Sequence, residues 1–186
     1  MRRIEMKHLF ETVRRILINP KEALEKHLER ETTITDLYRE YILLLCIIPA
    51  GATLLCLLGI PGAASFGSSL ILTALIYVFF AGGVWLNGYL MQLIAPRFGT
   101  EIEQITAIKI SALIWTPFFV ASVLFILPNF SPFTFLAVLY GIYIFYLAAQ
   151  KVVQADRDKK TAYIIIISLS MVLIWLIGYW IYRIGL

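Results

Sequence analysis

The chain has 186 residues, 60% of them hydrophobic and 15% charged, with a mean hydropathy of +0.83. Soluble domains carry about 25% charged residues, so the composition excludes an ordinary soluble fold and indicates an integral membrane protein. The net charge of +4 does not point to nucleic acid, because the cations flank apolar runs and form no base-reading motif.

Residues 1–40 form the first region, expected to lie in the cytoplasm. Met6, Leu9, Phe10, Val13, Ile16 and Leu17 recur at helical spacing, with Lys7, Glu11, Arg14 and Arg15 on the other side. This pattern predicts an amphipathic helix. Five basic and two acidic residues in positions 1–18 leave two placements open. The helix either lies on an anionic leaflet or packs against the loops of its own bundle. Asn19, Pro20 and Glu22 then make a helix-start signal for a second helix over Lys21 to Glu31. Leu24 and Leu28 give it a weak apolar face that docks rather than inserts, and His27 is expected to be solvated.

Residues 41–186 read as a five-helix transmembrane bundle. Charge-free runs occur at Tyr41 to Ile60, Leu70 to Ile94, Ile110 to Leu127, Phe133 to Gln150 and Ala162 to Tyr182. Each approaches or exceeds the roughly 20 residues that cross about 30 Å of hydrocarbon as a helix. Pro61 and Gly62, Pro96, then Pro128, Asn129 and Pro132 break the chain between them, and the charged run Lys151 to Lys160 makes the fourth connection. No cleavable signal pattern precedes the first run, so insertion is expected to use it uncleaved.

Lys and Arg number nine in residues 1–40, none in the first connection, two in the second, none in the third, four in the fourth and one at the C-terminus. Alternate sides therefore carry fifteen and one. The positive-inside rule then sets the N-terminus in the cytoplasm and the C-terminus outside. The expected class is thus an all-α integral membrane protein: five spans, N-in and C-out, preceded by amphipathic cytoplasmic helices. Tyr163 at one end of the last run, and Trp180 with Tyr182 at the other, are expected to be interfacial belt aromatics.

No Asp, Glu or His falls inside these runs. Proton relays, intramembrane zinc or paired-aspartate proteases and serine–histidine hydrolases need such residues, so no catalytic, cofactor or metal site is expected. Cys46 and Cys56 are ten residues apart on one helix, a rise of roughly 15 Å that excludes a disulfide between them. Small residues recur at Ala74, Ala81, Gly88 and Ala95, and again at Ala137, Gly141 and Ala148. Such stripes pack membrane helices, within one chain or between two copies. Asn87, Gln92, Ser111, Thr116, Tyr140, Tyr143, Tyr146 and Gln150 should face protein. Tyr140, Tyr143 and Tyr146 line a cavity or bond between helices, and Pro49 and Pro117 should kink their spans.

The turn Ala95-Pro96-Arg97-Phe98-Gly99, Lys109 before the third span and Trp115-Thr116-Pro117 within it resemble the signature of the Yip (Ypt-interacting protein) family. The resemblance takes in Asn19-Pro20, Pro128 and Leu139-Tyr140-Gly141-Ile142-Tyr143, from about Ile16 to Val153. It implies a five-span, N-inside protein, and for eukaryotic members it implies binding of Rab-type GTPases in membrane traffic. The short N-terminal region resembles prokaryotic members, which implies a multi-pass protein of the inner (plasma) membrane. The function it implies is non-enzymatic organiser or adaptor, with Arg97 and Lys109 meeting anionic lipid or a membrane or cytoplasmic protein. The alternative is a passive pathway for lipid or a small solute, with Asn87, Trp115, Pro117 and the three tyrosines lining or packing a cavity.

Overall fold

The computed structural model describes residues 2–60 and 65–186, with side chains from residue 9 onward. Expectations on Pro61 and Gly62, and on the side chains of Met6 and Lys7, lie outside the described residues. Eight α-helices follow in order among them: α1 Arg2–Ile18, α2 Pro20–Glu29, α3 Ile34–Leu37, α4 Leu43–Gly59, α5 Phe66–Ile94, α6 Gln104–Ala121, α7 Thr134–Val152 and α8 Arg157–Ile184. No strand occurs among the described residues. A π-helical turn, Tyr38–Ile42, fuses α3 to α4, and short 3-10 turns extend α5 and α6 and open α7.

Among the described residues, five continuous helical stretches are long and apolar enough to cross a membrane: Ile34–Gly59, Phe66–Phe98, Gln104–Ile126, Ser131–Val152 and Arg157–Ile184. Their helices begin earlier or end later than the charge-free runs. Helical hydrogen bonding does not stop where charge begins, so capping residues and not the apolar edge set the ends. Ser65 caps α5 by accepting from the Ser68 amide, and Thr33 caps α3 by accepting from the Asp36 amide.

The bundle is built around α6. Thirteen consecutive residues, Ala107 to Phe119, are buried, and 78% of an apolar 18-residue stretch of its span is buried, against 28% for the corresponding stretches of the second and fifth spans. A helix apolar all round belongs in the middle of a bundle. It packs against α4, α5 and α7, while α8 closes the outside across α5 and α7. Two glycines make that packing close. A methyl group on Gly88 of α5 would stand 3.0 Å from the Ile108 Cα, and one on Gly141 of α7 would overlap the Ile114 carbonyl oxygen. Small residues thus bring both neighbours against the α6 backbone. The other members of the stripes behave differently: Ala95 and Ala148 are buried but Ala74 is exposed. Across α5 and α8, Gly178 receives the Phe80 ring and Gly83 receives Ile174.

Candidate functional site

The two N-terminal helices form a hairpin held against α6 and α7. Ile16, Ala23 and Leu24 are buried in the core, with Leu9, Val13 and Leu28 packed against it. Three polar contacts tie the hairpin down. The Lys109 ammonium donates to the Arg30 carbonyl at 2.5 Å, fixing the exit of α2. Tyr140 donates to the Leu17 carbonyl at 3.0 Å, fixing the turn between the helices. Lys151 pairs with Glu25, and its hydrogen bond and then its charge hold that carboxyl below the usual carboxylate range.

These contacts set the hairpin's depth. Tyr140 stands twelve residues before the end of α7, about 18 Å along the helix, so the α1–α2 turn runs well down beside the spans. At that turn Ile18 is 71% exposed, and Phe10 on the same helix is 76% exposed. Arg14, Arg15 and Lys21 surround the turn, all exposed. Phe10 therefore departs from the expected apolar face, and the covered side runs through Leu9, Thr12, Val13 and Ile16. His27 is not simply solvated: it is half-buried, with its Nε2 3.2 Å from the Thr12 hydroxyl. Asn19 does not cap α2 through its side chain but donates to Glu22 at 2.9 Å.

The residues singled out in the sequence divide between surface and interior. Arg97 is exposed on the 3-10 turn Ala95–Phe98. That turn is closed by Gly99 at φ 76°, a left-handed position that only glycine adopts without strain. Its amide donates to the Pro96 carbonyl, and the Thr100 amide to that of Ala95. Lys109, in contrast, is 8% exposed and committed to Arg30. Asn87 is buried and donates to Ser170 at 2.7 Å, with the Ser111 hydroxyl donating to the Val84 carbonyl beside it. This node joins α5, α6 and α8.

Trp115 and Pro117 lie on the fully covered face of α6. Trp115 packs among Phe80, Phe118 and Phe119, edge-on to Phe118 at 5.4 Å, and its indole N–H has no partner among the described residues. Thr116 bonds both the Ala112 carbonyl and Tyr41, the latter at 2.6 Å. Pro117 and Pro49 each sit inside a helix and withhold the amide that the carbonyl four residues earlier would accept from. Tyr140 turns toward the hairpin, whereas Tyr143 and Tyr146 are about half exposed on the outside of the bundle. The three do not converge on one interior space.

Two expected belt aromatics are interior instead. Tyr163 and Tyr182 are fully buried, donating to the Met91 and Phe125 carbonyls at 2.8 Å. Both sit on α8, where Phe98 and Phe145 pack against Tyr163 and Phe125 stacks on Tyr182. Trp180 is exposed, at 64%. A stacked pair that sequence reading passed over, Trp85 and Tyr89 at 5.1 Å, is exposed on α5; its four-residue spacing was the available signal.

Comparison with curated proteins and with solved structures gives no match. A family model, that of the Yip1 domain, matches residues 14–179. The match takes in the end of α1, all of α2 and nearly all of the five-span bundle, so the α1–α2 turn, α2 and the helices that clamp them fall inside one family unit. The chain belongs to the Yip1-domain family.

Proposed function

We propose that this protein is a non-enzymatic organiser or adaptor working on one membrane leaflet, with its N-terminus and basic end in the cytoplasm and its C-terminus outside. The excess of Lys and Arg on alternate connections supports that orientation. The observation that carries the reading is the hairpin clamped by Lys109, Tyr140 and Lys151. It presents an apolar turn with a basic surround beside the spans, an arrangement suited to an anionic leaflet. Along the centre, α6 is covered by side chains over thirteen residues, which favours a platform over a passage.

In this reading Arg97 and the exposed hairpin cations meet anionic lipid or a protein partner. Lys109 acts beneath them by fixing the α2 exit. Purified protein in liposomes, assayed for lipid scrambling and solute flux, is expected to be inert. Photo-cross-linking from position 97 in native membranes is expected to recover one partner in stoichiometric amount. Flux that disappears in Tyr143→Leu would replace this reading with a transport function.

A further inference from the structure

The helices α7 and α8 leave a groove between them at the end of the bundle that carries the hairpin. It has a volume of about 550 Å³ and is lined by Tyr146, Gln150, Arg157, Lys160, Thr161 and Ile165, among others. That volume falls within the roughly 300–1,000 Å³ typical of small-molecule sites. Tyr146 and Gln150 line it from α7, and Arg157, Lys160, Thr161 and Ile165 line it from α8.

The cations are uncommitted. Among the described residues, no ion pair or hydrogen bond engages the side chains of Arg157, Lys160, Tyr146 or Gln150. Lys151, the neighbouring cation on α7, is instead taken by Glu25. Asp156 and Asp158 flank Arg157 in sequence but do not line the groove. Four side chains able to donate therefore line the groove, and among the described residues no carboxylate does. From Ile165, an apolar stripe continues down the same face of α8 through Leu169 and Leu173, which are 53%, 57% and 57% exposed.

We propose that this groove binds one anionic phospholipid. Its phosphodiester sits between Arg157 and Lys160, with Tyr146 and Gln150 donating to the headgroup and one acyl chain along Ile165, Leu169 and Leu173. Guanidinium and ammonium together suit a phosphate, and the apolar stripe directly below suits a tail and gives a free anion nothing to bind. The inference needs only the five spans and not the organiser reading, so either can fail alone.

The test uses the full-length protein in detergent, loaded with equal phosphatidylglycerol and phosphatidylcholine, with retained lipid counted by native mass spectrometry. Wild type is expected to keep one phosphatidylglycerol. The double variant Arg157→Gln/Lys160→Gln should lose it by roughly thirtyfold, from the attraction of two cations, while Lys159→Gln, outside the groove, should retain it. Thr161→Trp fills the groove without altering its charge, and should also lose the lipid. Equal retention of the two lipids by wild type, or equal loss from Lys159→Gln, would overturn the proposal. So would displacement by millimolar inorganic phosphate, which would mark a free-anion site, or retention in Thr161→Trp.

Discussion

Replacing Gly141 with alanine tests the packing on which the bundle depends. The added methyl group would meet the Ile114 carbonyl oxygen inside van der Waals contact, with the Met171 terminal methyl at 3.1 Å on its other side. Met171 can change rotamer, but Ile114 is backbone in the middle of a covered helix, so α6 and α7 must separate. Overpacking of this kind costs about 1–3 kcal/mol, and the gain in helix propensity on leaving glycine is at most about 1 kcal/mol. The net effect is a destabilisation. Reversible unfolding in mixed micelles titrated with a denaturing detergent measures it against Gly82→Ala, where the new methyl meets nothing within 4 Å. That control should be neutral or slightly stabilising. Equal stability of Gly141→Ala and Gly82→Ala would refute the close approach of α7 to α6.

Lys109→Met removes the ammonium that the Arg30 carbonyl accepts from, and a charged hydrogen bond of this kind contributes about 1.5–3 kcal/mol. Limited trypsin digestion should then cut faster after Arg30 while the spans stay intact. Tyr41→Phe deletes the bond to Thr116 but leaves that hydroxyl bonded to Ala112, so detergent unfolding should show a loss of only about 0.5–1.5 kcal/mol. The Glu25 carboxyl is held below its ordinary 4.5 by Lys151. That pairing contributes above the ordinary value and is lost as pH falls through the lowered one. The protection of α2 amides against hydrogen exchange, corrected for the intrinsic pH dependence of exchange, should fall on acidification in wild type, modestly for so exposed a pair, and this change in protection should vanish in Lys151→Gln.

The spans were legible in the sequence because a hydrocarbon interior leaves few alternatives to a long apolar helix. The breakers at Pro96, Pro128 and Pro132 gave the connections, and the glycine at position 99 marked a turn that needs positive φ. The centre was less legible. Trp115, Thr116 and Pro117 could be read as interior, but the covering of α6 on every side depends on which helices surround it, and apolar residues look alike whether they face lipid or protein. The same ambiguity hid the burial of Tyr163 and Tyr182 and the outward turn of Tyr143 and Tyr146. Lys109 is the clearest case. A lysine at the edge of a span reads as a topology signal, and only its reach to the Arg30 carbonyl, 79 positions away, reveals a structural clamp. The groove between α7 and α8 was not legible at all, since Tyr146 and Gln150 meet Arg157 and Lys160 only when the fourth connection folds back.

Thiol accessibility in liposomes tests directly whether α6 closes the interior of the bundle. Cysteines placed at Ser111 and Thr116, in a background with Cys46 and Cys56 replaced, should resist a membrane-impermeant maleimide from either side, while one at Arg97 should react from a single side. Labelling at position 111 or 116 in the folded protein would contradict the account and mark a water-filled path through the bundle.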